Sequence, residues 1–314
     1  MKEHQKLQEK WEEMKMSEIL LDVQHLSHVF KLGKHAVIKA VDDVSFQLKK
    51  GEIFGLVGES GSGKSTVARC VMNIYQPTSG KILYHDIDIT NKNEFRKNKK
   101  LLKTKRQIIF QDSTSSLNQR MKVADIIAEP MDIHRIKPKR GSLREEAEYH
   151  LQYVGMDKEY LDKYPAELSG GQRQRVAIAR SLSMDPELLV ADEPIASLDV
   201  SIQAQIVNLF KHLRMEHDCS MLFIAHDLAM VEYLCDRVGV MYKGKLVEIA
   251  PTAELFANPQ HDYTKALLSA IPYPDPIAER KRVRVDFDMM TFEKDGILVE
   301  VTPGHFVLRK ENER

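Results

Sequence analysis

Cysteine is scarce in this chain, and the positions of its three cysteines exclude several kinds of site. Cys70, Cys219 and Cys235 lie far apart in sequence and form none of the close pairs that bind zinc or exchange disulfides. We therefore interpret them as buried or inert thiols of a reducing compartment.

The chain also lacks an excess of charge of either sign. Lys and Arg number 46 and Asp and Glu number 46, so there is no overall basic field that would attract nucleic acid. A local basic run extends from Arg96 to Arg106, without interleaved aromatic residues that could stack on bases. This run predicts a solvated helical face in preference to a membrane- or nucleic-acid-binding patch.

Long apolar runs are missing as well. No stretch approaches the roughly 18 apolar residues that would span a bilayer. Residues 1–17 form a charged N-terminal extension without the apolar core of a signal peptide. We therefore expect a cytosolic protein whose contact with any membrane comes from a partner.

What the chain does have is a complete phosphate-binding motif of the G-x-x-x-x-G-K-[ST] type, which we call the phosphate loop (residues 58–65). An apolar run precedes it and a helical pattern follows it, which disfavours a chance match. Backbone N–H groups and a helix N-terminus suit this loop to a polyanion. The residues expected to bind nucleotide are Gly58, Glu59, Ser60, Gly61, Ser62, Gly63, Lys64, Ser65 and Thr66.

Two residues of this loop have more specific expected roles. Lys64 should contact the β- and γ-phosphate oxygens as a point charge. Ser65 should offer its hydroxyl to Mg²⁺. Lys64 is therefore a candidate catalytic residue as well as a ligand of the nucleotide.

A second apolar run, residues 188–191, ends in the acidic pair Asp192 and Glu193. Asp192 is expected on the metal side, directly or through water. Glu193 is the candidate general base for the attacking water, and strand alternation is expected to turn its side chain away from Asp192. The alternative, the start of an ordinary polar loop, would leave the phosphate loop without its usual second metal carboxylate.

Two further apolar runs each end on a polar residue. Residues 107–110 lead into Gln111, and residues 221–225 lead into His226. Ligands of open parallel sheets bind beyond the carboxyl ends of the strands. Each residue alone is more typical of an ordinary turn, but four such strand ends together predict one site for phosphate, water and metal.

Between these runs lies a short motif that we call the signature, made of Leu168, Ser169, Gly170, Gly171 and Gln172. It precedes a helical pattern over residues 172–183 and therefore predicts a helix N-terminus. Such an end would bind phosphate well. A simple flexible cap is the alternative, and Leu168 together with the polar run from Gln172 to Arg175 disfavours it.

In this order and spacing, the phosphate loop, Gln111, the signature, residues 188–193, residues 197–199 and His226 resemble the nucleotide-binding subunit of ATP-binding-cassette proteins. The resemblance covers residues from about 18 to 250 and implies that Gln111 senses γ-phosphate and Mg²⁺. It also implies that His226 braces the γ-phosphate, and that Asp199 links two sites across a dimer. Ser169, Gly170, Gly171 and Gln172 would grip, in trans, the ATP bound to a partner subunit.

The resemblance also implies the architecture. We expect an α/β fold of the P-loop NTPase (RecA-like) type, with a parallel-sheet core, an N-terminal antiparallel β subdomain and an inserted α-helical subdomain over residues 112–167. The nucleotide-binding domain would span residues 18–250, and a C-terminal extension residues 251–314. Alternation over Leu20–Val23 and Ser45–Leu48 predicts short strands in the β subdomain, and residues 123–133 and 143–154 show helical patterns. Phe30 lies where an aromatic residue often stacks on adenine, but plain core is an equal interpretation.

The C-terminal extension indicates a subfamily within this resemblance. Residues 258–276 look like the tail of ATPase subunits from oligopeptide and dipeptide importers. Ile195 and residues 303–306 point to the second, or F-type, ATPase of an oligopeptide system. Some relatives carry a cysteine cluster here, but no cysteine follows Cys235, so we expect ATP and Mg²⁺ as cofactors and no iron–sulfur cluster.

The resulting hypothesis is an ATPase subunit that powers oligopeptide import at the cytoplasmic face of the cell membrane. Its expected partners are two membrane-spanning permease subunits, a second homologous ATPase in a heterodimer with ATP sandwiched, and indirectly an extracellular substrate-binding protein, but no nucleic acid. Dipeptides, nickel or another small solute are alternative cargoes. A soluble ATPase acting on ribosomes or nucleic acid is less favoured, because the chain has one cassette and no long heptad segment.

Overall fold

The computed structural model describes residues 19–33, 36–196, 198–271, 285, 287, 292 and 296–310. The expectations for residues 1–17, for Ser197 and for the tail between residues 272 and 276 lie outside this range. Among the described residues, helices and strands follow one another in the alternating order of an α/β protein.

The described part of the chain contains twelve strands: β1 (Ile19–Leu32), β2 (Ala36–Lys49), β3 (Ile53–Val57), β4 (Ser79–Tyr84), β5 (Ile87–Asp88), β6 (Arg106–Ile109), β7 (Leu188–Asp192), β8 (Ser220–Ala225), β9 (Arg237–Tyr242), β10 (Lys245–Pro251), β11 (Ile297–Thr302) and β12 (His305–Arg309).

The α-helices in the same residues are α1 (Lys64–Val71), α2 (Lys92–Lys97), α3 (Lys99–Lys105), α4 (Ser113–Ser116), α5 (Val123–His134), α6 (Leu143–Tyr153), α7 (Gly170–Leu182), α8 (Val200–His217), α9 (Leu228–Leu234), α10 (Thr252–Ala257) and α11 (Asp262–Ser269). Two short 3₁₀ helices, Lys158–Asp162 and Pro165–Glu167, precede α7.

These elements form two compact units. The first unit contains Lys49–Gly51 and Asn91–Leu222, and the second contains Ile19–Leu48, Glu52–Thr90 and the described residues from Phe223 onward. The boundary falls inside β8, so the chain passes from the first unit to the second within that strand.

The second unit contains a four-stranded sheet in the order β2-β1-β4-β5. Strands β1 and β4 are antiparallel, with Leu21 opposite Tyr84. Short strands were expected over Leu20–Val23 and Ser45–Leu48, but β1 and β2 each extend over 14 residues. For β2 the reason is that its first four residues are all exposed and carry no alternation.

The second unit also contains neighbouring strands in the order β11-β12-β10-β9-β3. Strand β3 is buried at all five positions and lies parallel to β9, with Phe54 opposite Arg237. Parallel strands that are covered on both faces are continuously apolar, which is why residues 53–57 could be recognised from sequence. Strands β9, β10, β12 and β11 are antiparallel to one another in turn.

In the first unit, β6 lies parallel to β7, with Ile109 opposite Ala191. The expected helical segments over residues 123–133 and 143–154 are present as α5 and α6. Helix α7 begins two residues earlier than expected, at Gly170, because Ser169 caps it.

The basic run between Arg96 and Arg106 is not one solvated helical face. It is divided between α2 and α3, and it ends in β6. Arg106 is buried, and its Nε donates a hydrogen bond to the Leu102 carbonyl oxygen at 3.1 Å. The interpretation as a solvated face is therefore wrong for Arg106, because a long side chain can bury its stem and satisfy its polar end on the backbone.

Among the described residues, no helix combines the length and apolar character that crossing a membrane requires.

Candidate nucleotide site

The phosphate loop leaves β3 after Val57 and enters α1 at Lys64. Gly58, Gly61 and Gly63 have φ angles of 142°, 81° and 108°, a region that favours glycine. A Cβ at Gly58 would lie 2.1 Å from the Met241 carbonyl oxygen, and one at Gly63 would lie 2.2 Å from the Ala40 carbonyl oxygen. Backbone conformation therefore favours glycine at all three positions, and close packing also requires it at Gly58 and Gly63.

Lys64 is held inside this loop. Its side chain is buried, and its Nζ donates hydrogen bonds to the carbonyl oxygens of Gly58 at 2.7 Å and Glu59 at 2.9 Å. A third contact, to Ser62 Oγ, measures 3.4 Å. The loop's own backbone thus fixes the position of the ammonium group, with the exposed residues 59–61 beside it.

Helix α1 presents an N-terminus without a competing side chain. Gly63 is the N-cap and supplies no side-chain hydrogen bond, and the first turn holds no acidic residue. The partial positive charge of this helix end is therefore available to an anion. Ser65 and Thr66 lie in this first turn and are half-buried.

The acidic pair lies at the end of β7. Asp192 is buried as the last strand residue, whereas Glu193 is half-buried and has a φ of 48°. We expected strand alternation to turn the Glu193 side chain away from Asp192. Alternation does not apply here, because the strand ends at Asp192 and Glu193 has a left-handed backbone conformation. Such a φ is uncommon for a residue other than glycine.

Gln111 and Glu193 are brought together in the first unit. The Gln111 Nε2 donates a hydrogen bond to Glu193 Oε2 at 3.0 Å. The two residues follow β6 and β7, which are parallel neighbours and therefore end at the same edge. This contact confirms that two of the four predicted strand ends meet, and it holds the Glu193 carboxylate in a defined orientation.

The signature forms a helix cap, as expected. Ser169 Oγ accepts a hydrogen bond from the Gln172 N–H at 3.3 Å, and Gln172 Oε1 accepts one from the Ser169 N–H at 2.9 Å. This reciprocal pair is a capping box. No atom of the described residues lies within 4 Å of a Cβ built on Gly170, apart from its own helix backbone and chain neighbours, so within this part of the chain the helix N-terminus is open at that side.

Sequence reasoning missed a residue that supports this cap. The Gln172 Nε2 donates a hydrogen bond to the Tyr160 hydroxyl at 3.0 Å. Tyr160 lies in the 3₁₀ helix Lys158–Asp162. No motif of short spacing joins positions 160 and 172, so only the fold identifies this contact.

His226 and Phe30 belong to the second unit. His226 directly follows β8 and is exposed. Phe30 is half-buried in β1, where its ring lies 4.6 Å from the His28 ring centroid and 5.5 Å from that of Tyr75, edge-on to both. His28 and Tyr75 themselves stack at 5.3 Å. Sequence reasoning missed this three-ring cluster, because Tyr75 comes from a different part of the chain.

The three cysteines are buried and none is in a disulfide. Burial raises the pKa of the Cys70 and Cys219 thiols to about 12. Neither thiol forms a reactive thiolate near neutral pH, which agrees with the interpretation as inert groups.

Comparison with known proteins defines the class to which these features belong. A family profile described as "ABC transporter" matches residues 41–196. The dimeric structure of a post-hydrolysis state of an ATP-binding cassette bound to ADP and Pi superposes with a TM-score of 0.67 at 26% identity, covering 74% of this chain and 98% of that one. The chain therefore belongs to the ABC transporter family, and the expected P-loop NTPase fold is confirmed.

A second profile, described as "Oligopeptide/dipeptide transporter, C-terminal region", matches residues 247–288. The oligopeptide transport ATP-binding protein OppF of Bacillus subtilis (strain 168) is 52% identical over 304 residues, covering 95% of this chain and 98% of the relative. The dipeptide transport ATP-binding protein DppF of Lactococcus lactis subsp. cremoris is 44% identical, covering 94% of this chain and 95% of the relative. These matches confirm the resemblance to ATP-binding subunits of peptide transporters.

Proposed function

We propose that this chain binds and hydrolyses ATP to power the import of oligopeptides across the cell membrane. The observation that carries the proposal is the Gln111–Glu193 hydrogen bond of 3.0 Å, which presents a carboxylate as a general base in a chain of this family. The 52% identity to an oligopeptide transport ATP-binding protein supports the cargo class.

The residues fit a magnesium-bound nucleoside triphosphate. A glycine-dependent turn at Gly58, Gly61 and Gly63, a buried Lys64 and a helix N-terminus capped by glycine suit the loop to phosphates. Ser65 and Asp192 carry the oxygen ligands that Mg²⁺ prefers. When bound, Mg²⁺ neutralises developing charge on the phosphate oxygens.

Each proposed site residue then has a defined role. Lys64 holds the β- and γ-phosphates, and Glu193 takes the proton of the attacking water while Gln111 orients its carboxylate. His226 contacts the γ-phosphate. Ser169, Gly170, Gly171 and Gln172 bind the triphosphate held by a partner ATPase, so that ATP joins the two subunits and hydrolysis releases them.

The partners follow from the class of transporter. We assign this chain to a complex with two permease subunits and a second, homologous ATPase at the cytoplasmic face of the membrane. An extracellular binding protein would deliver the cargo. A dipeptide is the second candidate cargo, because a dipeptide transport protein shares 44% identity with this chain.

The test is to tag the chain, solubilise membranes gently with ATP and vanadate, and identify the copurifying proteins by mass spectrometry. We expect two multi-span proteins and a second cassette ATPase, and transport assays with labelled oligopeptides and dipeptides then decide the cargo. Recovery of ribosomal or DNA-associated proteins in their place would leave the proposed ATPase activity intact and overturn the proposed transport function.

A further inference from the structure

The C-terminal part of the second unit is anchored by a buried carboxylate. Glu248 on β10 is fully buried, and its oxygens accept hydrogen bonds from the backbone N–H groups of Gln260 at 2.8 Å and His261 at 3.0 Å. His305 Nε2 lies 2.7 Å from Glu248 Oε1. A buried charge with several partners holds its surroundings in one arrangement, so the start of α11 has a fixed position relative to β10.

One residue of α11 reaches the phosphate loop of the same unit. Tyr263 is buried, and its hydroxyl oxygen accepts a hydrogen bond from the backbone N–H of Glu59 at 3.0 Å. The Tyr263 ring packs against Tyr242, with ring centroids 4.4 Å apart. The residues in hydrogen-bond contact are 204 positions apart in sequence.

Glu59 is the residue through which this contact can affect nucleotide binding. Its carbonyl oxygen accepts one of the hydrogen bonds from Lys64 Nζ and another from the Ser62 N–H at 3.2 Å. The N–H and the carbonyl of Glu59 therefore connect Tyr263 on one side with the phosphate-binding lysine on the other. Loss of the hydroxyl would free the first residues of the loop while leaving Lys64 and the glycines unchanged.

We propose that Tyr263 is a positioning residue for ATP, through which the C-terminal extension holds Glu59 and sets the affinity of the phosphate loop. This inference rests on the proposed function in that it takes ATP as the ligand of the loop. Burial raises the pKa of Tyr263 to about 12, so the hydroxyl stays protonated near neutral pH and acts as a neutral partner of the Glu59 N–H.

The test compares Tyr263→Phe with the control Tyr242→Phe in the purified full-length chain. The two tyrosines are in ring contact, but the Tyr242 hydroxyl is buried without a hydrogen-bond partner among the described residues. Both variants lose one buried hydroxyl, and only Tyr263→Phe loses a hydrogen bond to the loop. The readouts are the Kd for MgATP, the KM and kcat of ATP hydrolysis, and hydrogen exchange of the Glu59 amide.

For Tyr263→Phe we expect the Kd and KM for MgATP to rise about fivefold, the loss typical of one hydrogen bond, with kcat within about twofold. The Glu59 amide should exchange faster. Tyr242→Phe should match the wild type in all of these. A purely structural role for Tyr263 would lower kcat through loss of active protein and leave the KM unchanged, which would overturn the proposal.

Two outcomes distinguish failure of the proposed role of Tyr263 from failure of the proposed function. If the wild-type chain does not bind MgATP, the proposed function fails. If the wild type binds MgATP and both variants bind it equally, only the role of Tyr263 is overturned. If Tyr263→Phe does not fold, hydrogen exchange of the Glu59 amide is measured in the wild-type chain without nucleotide. Protection of this amide supports its hydrogen bond to Tyr263, and lack of protection overturns the proposal.

Discussion

Lys64 and Glu193 perform opposite parts of the proposed reaction, and their surroundings differ accordingly. Lys64 is buried and satisfied by backbone carbonyl oxygens. Glu193 is half-buried, departs from a strand with positive φ, and is held by an amide donor. The first arrangement fixes the ammonium group in place and suits the proposed binding of phosphate. The second leaves a carboxylate accessible to a water molecule.

We expect Glu193→Gln to bind MgATP as the wild type does and to lose about 10²- to 10⁴-fold in kcat, since the amide cannot accept the proton of water. Equilibrium binding and steady-state phosphate release measure the two effects. The variant Glu159→Gln, at an exposed position of the same unit, is the control. Normal turnover of Glu193→Gln would refute its role as general base.

The contrasting variant is Lys64→Ala, which should weaken MgATP binding itself by about ten- to hundredfold, because it removes a charge-assisted contact to phosphate. Lys81→Ala, at an exposed position on β4, is the matched control for loss of a lysine. Unchanged affinity in Lys64→Ala would contradict the assignment of the phosphate loop.

At the scale of helices, two caps combine a structural role with a position at or near the site. Ser169 caps α7 through a capping box. His261 caps α11, its Nδ1 accepting the N–H of Tyr263 at 3.1 Å. Cap residues stabilise the folded protein through local hydrogen bonds. To detect a functional role, the effect of removing a cap at the site must be compared with that of removing a cap elsewhere.

Ser142 provides that comparison for Ser169. It caps α6 in the same unit, and its Oγ accepts the Glu145 N–H at 3.2 Å. We expect Ser169→Ala and Ser142→Ala each to lower the free energy of unfolding by about 1 kcal/mol. Only Ser169→Ala should also reduce ATPase activity in the assembled transporter. Equal activities of the two variants would restrict Ser169 to a capping role.

His261 predicts a pH dependence of stability. Burial lowers its pKa, Lys265 acts in the same direction, and Glu248 and Asp262 oppose both. The unfolded chain therefore binds a proton at higher pH than the folded chain does. Stability is complete above the unfolded pKa of about 6.5 and declines as pH falls below it.

We expect His261→Asn, which keeps a good cap residue without the titration, to lose less stability than the wild type between pH 7.5 and pH 5.5. Urea denaturation at the two pH values measures the difference. The control His212→Asn changes an exposed histidine on α8. An acid dependence of His261→Asn equal to that of the wild type would show that other groups cause it.

For the whole molecule, the proposed place at the cytoplasmic face predicts a particular mode of attachment. Contacts with permease subunits would be protein contacts, which high pH disrupts by changing the charges at the interface. We expect alkaline carbonate to release the chain from membranes of cells that express the complete transporter. The permease subunits, which should stay in the membrane, serve as the control. Immunoblots of both fractions measure this. Retention of the chain after the wash would contradict peripheral attachment.

Much of the fold and part of the site could be predicted from sequence. Strand β3, the phosphate loop and the cap at Ser169 are local features, in which glycine spacing, apolar runs and short-range hydrogen bonds determine the structure. The full length of β2 could not be predicted, because its first four residues are exposed and have no apolar alternation. The burial of Arg106 depends on helix–strand packing that a charge pattern does not reveal.

The sequence by itself determined the phosphate-loop motif and the helix cap at Ser169, since glycine spacing and the hydrogen bonds between Ser169 and Gln172 involve only neighbouring positions. The sequence predicted that Gln111 and Glu193 belong to one site, but only the tertiary structure showed the hydrogen bond between them, across 82 positions. The tertiary structure alone decided the hydrogen bond between Tyr263 and Glu59, across 204 positions. It also decided the left-handed backbone at Glu193. These features depend on strand pairing and packing between distant segments, which residue spacing in the sequence does not specify.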